Sequence, residues 1–199
     1  MTRSAGTDAS LRRAVVVVAL LNLAYFGVEF AVALAIGSVS LFADSIDFLE
    51  DASINLLIAA AIGWSVASRA RLGMALAGIL LVPGIATLWA AYEKYLSLAP
   101  PAPLPLTATG IGALAVNLSC AFVLARFRTH SGSLTRAAFL SARNDALANI
   151  AIIAAGLVTA WTHSGLPDLV VGLAIAAMNA DAAREVWGAA RTERKAARS

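Results

Sequence analysis

The chain has 199 residues, of which 60% are hydrophobic and only 14% are charged. A soluble domain is typically about 45–50% apolar and about 25% charged, so this composition excludes an ordinary soluble protein. The one cysteine, Cys120, excludes an intrachain disulfide and a metal cluster held by several thiolates. We therefore predict a protein that crosses a lipid bilayer several times.

Six apolar segments are each long enough for a membrane-spanning helix of about 20–25 residues. They cover residues 14–36, 40–65, 72–96, 107–125, 138–160 and 167–188. Gly, Pro and Ser mark the breaks between them, as in APPAPLP at residues 99–105. The predicted fold is all-α with six transmembrane helices. Residues 1–13 form an N-terminal tail, residues 14–188 the membrane domain, and residues 189–199 a short basic tail with no soluble C-terminal domain.

The basic residues set the orientation of these helices. With the N-terminus in the cytoplasm, nearly all arginines fall on the cytoplasmic side, and Lys94 alone belongs to the outer half. The positive-inside rule then places both termini in the cytoplasm. Because the net charge of +3 is spread between apolar segments, no nucleic acid partner is expected. We expect a multi-pass protein of a bacterial cytoplasmic membrane, surrounded by lipid.

Acidic residues interrupt the second apolar segment. Counted from Asp44, the next polar residues come at offsets of three, seven and eleven: Asp47, Asp51 and Asn55. This spacing places all four on one face of a helix. An ionised carboxylate near the bilayer centre costs at least a few kcal/mol unless a cation or water compensates it. A membrane helix with such a stripe is therefore predicted to line a cation site.

The fifth segment carries a matching stripe. Ser141, Asp145 and Asn149 lie at offsets of four and eight, again on one helical face. With a rise of about 1.5 Å per residue, Asp51 and Asp145 fall at nearly the same depth in a hydrocarbon core about 30 Å thick. We predict one metal site with four ligands, the usual number for Zn²⁺. Its predicted ligands are Asp47, Asp51, Ser141 and Asp145, with Asp44 and Asn149 as accessory residues.

This site would hold up to three negative charges in a medium of low dielectric constant. Protons and a divalent cation would compete for the same carboxylate oxygens, which is the physical basis of cation/proton exchange. The cation and the protons are thus expected as transported substrates, and no resident cofactor is expected. Glu29 is interpreted as a hydrogen-bond group between helices, not as a primary ligand.

Two motifs resemble the cation diffusion facilitator family of divalent-metal/proton antiporters. GSVSLFADSIDFLED at residues 37–51 resembles the second-helix signature, with Asp47 and Asp51 as its ligand pair. LSARNDALANIAIIAAGL at residues 140–157 is similar to the fifth-helix His-x-x-x-Asp motif, with Asp145 in place. The resemblance covers nearly all of residues 11–190. It implies a six-helix transporter that exports metal in exchange for protons.

The chain departs from the family pattern at two points. Ser141 stands where the family usually has His or Asp, so the predicted site has only oxygen ligands. Zn²⁺, Mn²⁺, Fe²⁺, Co²⁺ and Cd²⁺ all remain candidate substrates. The family's cytoplasmic C-terminal domain, which supports dimerisation, has no counterpart in the sequence, so a homodimer would have to form within the membrane.

Two other functions are weighed against transport. The departure at Ser141 leaves open a family member that no longer transports and serves as a membrane scaffold or partner subunit. CDP-alcohol phosphotransferases are membrane enzymes with an Asp-x-x-Asp-Gly motif, but here Phe48 follows Asp47 in the position of that glycine. We therefore predict that the protein is not an enzyme.

Overall fold

The computed structural model describes residues 2–61, 85–127 and 132–196 of the chain. Within these ranges, side chains are described for residues 9–60, 85–127 and 144–181. The described residues form six helices and no β-strand, which confirms the predicted all-α fold. The helices are α1 Thr2–Ile36, α2 Val39–Ala61, α3 at residues 85–97, α4 Pro103–Ala125, α5 Gly132–Thr162 and α6 Leu166–Ala196.

Three helical segments among the described residues are long and apolar enough to cross a membrane. They are Ala9–Ile36, Pro103–Ala125 and Asn144–Thr162. Helix α2 equals α4 in length at 23 residues, but it contains four acidic residues that set it apart from an ordinary span. The six crossings and the cytoplasmic termini stay predictions.

Several helices extend beyond the apolar segments from which they were predicted. Helix α1 begins at Thr2 and α5 at Gly132, while α6 continues to Ala196. The apolar pattern marks the part of a helix that lies in lipid, and the backbone hydrogen bonds of a helix continue through polar residues outside it. The predicted third segment, 72–96, lies partly outside the described residues, and its described part falls within α3.

Helix α2 is at the centre of the bundle and contacts α1, α4, α5 and α6. A tight turn at Gly37 separates α1 from α2, because Gly37 has a φ of +61°, a conformation that glycine adopts without steric cost. The Ser38 N–H closes this turn by donating to the Ala33 carbonyl at 3.0 Å. The turn brings the acidic helix back along α1.

Apolar side chains fill the bundle at both ends. One cluster joins Val15 and Val18 of α1 to Cys120 and Leu124 of α4. A second cluster packs Leu41, Leu106, Ile152 and Ile175 from four different helices. Large apolar side chains also cover the outside, as at Leu104 and Trp161, which are 80% and 84% exposed. An outer surface of this kind is suited to lipid contact.

A buried carboxylate fixes the start of α2. Asp168 of α6 is fully buried and accepts hydrogen bonds from the Ser38 and Ser40 hydroxyls at 2.6 and 2.7 Å. The backbone N–H groups of Val39 and Ser40 donate to the same carboxylate at 2.9 and 3.2 Å. Asp168 thus caps α2 from another helix and places negative charge where the helix dipole is positive.

Lys94 of α3 completes this arrangement. Its ammonium group lies 3.7 Å from the Asp168 carboxylate and donates to the Gly37 carbonyl at 2.6 Å. Gly172 lets α6 approach closely, since a Cβ atom there would lie 2.8 Å from the Ser40 backbone nitrogen. The α1–α2 turn, the end of α3 and the start of α6 are therefore joined by one polar cluster, which we call the Asp168 cap.

We predict that Asp168→Asn destabilises the fold. The asparagine has the same shape, but it removes the charge opposite Lys94 and turns one accepting oxygen into a donor that faces other donors. The expected loss is about 2–4 kcal/mol in the free energy of unfolding, measured by denaturant titration in detergent. Asp181→Asn is the matched control, since Asp181 is exposed on the same helix. Equal stability of the two variants would contradict the role of the Asp168 cap.

Candidate metal site

The predicted ligands lie on two helices that pack against each other, α2 and α5. Asp51 is 7% exposed and Asp44 is fully buried, whereas Asp47 and Asp145 are partly exposed. Asp51 lies near the middle of α2 and Asp145 near the middle of α5. These positions follow the helical periodicity of the two stripes, and the helices that carry them contact each other.

The carboxyl groups of Asp51 and Asp145 lie next to each other across this interface. Asp47 is close enough for its charge to interact with those of Asp145 and Asp44. The backbone of α5 places Ser141 one turn before Asp145, but the Ser141 side chain lies outside the described part. Among the described side chains, no three acidic, histidine or cysteine residues converge closely enough to hold one metal ion in this conformation.

The Asp44 and Asn149 side chains are hydrogen-bonded to each other. The Asn149 amide nitrogen lies 3.1 Å from Oδ1 and 3.0 Å from Oδ2 of Asp44, and it also donates to the Asp145 carbonyl at 2.7 Å. Both side chains are fully buried, so Asp44 does not face water in this conformation. Their accessory role in metal binding stays a prediction.

Glu29 of α1 adds a further acid that the sequence pattern did not assign to the site. It is fully buried beside Asp44 of α2, and the two carboxyl groups lie close enough for a hydrogen bond when one of them is protonated. The role of Glu29 as a hydrogen-bond group between helices stays a prediction. The signal for its position was weak, since a single acid in α1 has no periodic partner.

Buried amides continue the polar interior on either side of the acids. The Asn55 amide donates to the Asp51 carbonyl at 2.8 Å, but its side-chain oxygen has no partner in the described residues. Asn22 accepts a 3.5 Å hydrogen bond from the Cys120 thiol, and its own amide nitrogen is without a described partner. Buried polar atoms nearly always have a hydrogen-bond partner. Atoms without a described partner beside the carboxylates therefore indicate that this interior does not serve packing alone.

Among the described side chains, no ion pair is found at these acids. The ion pair found elsewhere among them, Lys94 with Asp168, lies at the start of α2 and not at its middle. The Arg143 side chain, which could have paired with Asp145, lies outside the described residues. A group of carboxylates in a low-dielectric interior attracts cations strongly. The described acids and amides offer only oxygen atoms to a cation.

An all-helical membrane protein with carboxylates buried between two of its helices is suited to moving cations across a bilayer. The family model of the cation efflux transmembrane domain matches residues 15–188, nearly the whole chain. The chain belongs to the cation efflux family, also called the cation diffusion facilitators, and it is a membrane transporter of cations. No individual curated protein matches it.

We predict that Asn149 and Asp44 are energetically coupled. Asn149→Leu removes the amide that donates to the Asp44 carboxylate, and the expected cost is about 1–3 kcal/mol in the free energy of unfolding. In the Asn149→Leu background, Asp44→Leu should lower the free energy of unfolding by less than it does in the unchanged protein. The reason is that Asn149→Leu alone leaves the buried Asp44 carboxylate without its donor, and Asp44→Leu then removes that carboxylate. The measurement is a double-mutant cycle by denaturant unfolding.

The control cycle pairs Asp44→Leu with Asp181→Asn on the exposed face of α6. Those two changes should be additive, because the two positions share no contact. Additive effects of Asp44→Leu and Asn149→Leu would show that the hydrogen bond contributes nothing to the fold.

Proposed function

We propose that the protein exports a divalent metal ion across the cytoplasmic membrane in exchange for protons. The observation that carries the proposal is the contact between Asp51 on α2 and Asp145 on α5, near the middle of both helices. Two acids from different helices meet at a depth where an uncompensated charge is costly. A transported cation would provide that compensation.

Asp47, Asp51 and Asp145 are the proposed primary ligands, with Ser141 as the fourth. Asp47 is one helical turn before Asp51, and Ser141 is one turn before Asp145, so the four positions share two facing stripes. The three carboxylates must draw closer together to hold one ion than they do in the conformation described. The cation itself would draw them together, since it removes their mutual repulsion.

Protons are the proposed counter-ions. Two neighbouring carboxyl groups in a low-dielectric interior repel each other when both are ionised, so the metal-free site retains protons. A metal ion binds only deprotonated carboxylates, and its arrival releases those protons. Alternating exposure of this one site to the two sides of the membrane would exchange metal for protons.

The ligand chemistry limits the substrate to a group of divalent ions. A site with only oxygen ligands suits Mn²⁺ and Fe²⁺ better than a site with nitrogen or sulfur would, while Zn²⁺, Co²⁺ and Cd²⁺ also bind such oxygens. Asp44 and Asn149 are proposed as accessory residues one turn away from the primary ligands. Dimerisation within the membrane is proposed as well, and both termini are placed in the cytoplasm.

One observation favours a second candidate function. No three metal-ligating side chains converge among the described residues, and Asn149 already satisfies Asp44. A chain fixed in this arrangement would bind metal weakly and could serve as a membrane scaffold or partner subunit. An enzymatic function has no comparable support, and the family's members are transporters.

We predict that Asp51→Asn and Asp145→Asn each abolish transport. Either change removes a carboxylate from the contact between α2 and α5, so metal uptake into proteoliposomes under a pH gradient should fall to the rate of protein-free liposomes. The assay compares Zn²⁺, Mn²⁺, Fe²⁺, Co²⁺ and Cd²⁺. Asp181→Asn should transport like the unchanged protein, since it alters an exposed acid on another helix.

Three results can follow from that assay. Uptake lost in both site variants and retained in the control supports the antiporter. Uptake retained in either site variant overturns the assignment of Asp51 and Asp145. No uptake of any of these ions by the folded, unchanged protein favours the scaffold or partner subunit.

A further inference from the structure

A groove with a basic rim lies on the outer surface of the bundle between α1 and α4. It encloses about 480 Å³, and its rim carries the side chains of Arg13 and Arg126. Val17, Val123 and Phe127 form part of its apolar walls. The groove is therefore basic at its rim and apolar along its walls, whereas the interior of the bundle is acidic.

The packing of α1 against α4 creates this groove. Val15 and Val18 pack against Cys120 and Leu124, so the beginning of the α1 span lies beside the end of α4. Val17 follows Arg13 by four residues, and Val123 precedes Arg126 by three. Each valine is therefore about one helical turn deeper in the membrane than the arginine on its helix.

The arginines are available to a ligand. Arg13 and Arg126 are both exposed, and neither forms an ion pair with any described residue. The Arg126 guanidinium lies 5.8 Å from the centre of the Phe122 ring, a cation–π contact that holds it at the edge of the lipid-facing surface. Phe122 is 70% exposed and Val17 is 48% exposed, so the groove opens towards lipid.

We propose that this groove binds an anionic phospholipid. Its phosphate would lie between the Arg13 and Arg126 guanidinium groups, whose planar donors match phosphate oxygens in pairs. One acyl chain would follow the apolar wall past Val17 and Val123. Basic pockets between membrane helices bind anionic headgroups in this way, on the side where basic residues concentrate.

The apolar wall selects a lipid over a free phosphate ion. A small anion could use the two guanidinium groups, but it would leave Val17 and Val123 unused. The phospholipid buries that apolar surface and pairs its charge at the same time. The predicted orientation of the helices places the groove in the cytoplasmic leaflet.

The test measures lipid binding by the purified full chain in detergent. Native mass spectrometry would be used to titrate phosphatidylglycerol against phosphatidylcholine with the same acyl chains. The unchanged protein should bind phosphatidylglycerol more tightly. Arg13→Gln and Arg126→Gln should each weaken that binding about fivefold, the magnitude that applies to a basic residue at a membrane surface. The double variant should lose the preference for phosphatidylglycerol.

Arg12→Gln is the matched control. It removes the same charge at the neighbouring position of α1, but Arg12 does not line the groove. This variant should bind phosphatidylglycerol like the unchanged protein. If the double glutamine variant fails to fold, the two single variants decide the question, because each removes one of the two phosphate contacts.

The outcomes separate a lipid site from general attraction and from an anion site. Loss of binding in the groove variants with retention in Arg12→Gln supports the proposal. An equal loss in all three single variants overturns it in favour of unspecific surface charge. Displacement of phosphatidylglycerol by inorganic phosphate at equal concentration overturns it in favour of a free-anion site. Neither result depends on metal transport, so the antiporter proposal is tested separately.

Discussion

The rest of the structure depends on how α2 compensates buried negative charge. At its first turn, the carboxylate of Asp168 receives four hydrogen bonds and faces Lys94, so that charge is fully paired. Further along the same helix, Asp47 and Asp51 lie among other acids. Among the described side chains, the ion pair of Lys94 with Asp168 has no counterpart in that part of α2. A helix that is fixed at one end by a fully paired charge can hold neighbouring carboxylates in its middle, because the Asp168 cap already holds α2 in place.

This contrast distinguishes the charge of Asp168, which the protein itself pairs, from the proposed cation site in the middle of α2. A transporter needs a site whose charge is compensated by its substrate and not permanently by the protein. The contact between Asp51 and Asp145, with Glu29 and Asp44 buried nearby, fits that requirement, since the local excess of acids favours cations of either kind, metal or proton. The basic groove between α1 and α4 has the opposite charge and lies on the lipid-facing surface. The interior is thus suited to small cations, and the surface of α1 and α4 to anionic headgroups.

Sequence reasoning predicted those features that depend on periodicity within one helix. The stripes of α2 and α5 follow from offsets of three and four residues. Their equal depth in the membrane stays a prediction from the rise of an α-helix. The Asp168 cap could not be predicted in this way. Ser38 and Asp168 are 130 residues apart, and the pattern of residues around either one does not indicate that the two are in contact. The complete burial of Asp44 was missed for the same reason, since it depends on the packing of α1 and α5 around it. The helix ends were also misplaced, because hydropathy marks the lipid boundary and not the end of the helix.

In the proposed mechanism, a metal ion and protons compete for the carboxylates between α2 and α5. Isothermal titration calorimetry of metal binding, repeated in buffers with different ionisation enthalpies, measures how many protons each bound ion releases. Such competition requires the release of at least one proton per metal ion near neutral pH. Both the release and the binding should be lost in the double variant Asp51→Asn, Asp145→Asn. Metal binding without proton release, or with equal affinity in that variant, would contradict it.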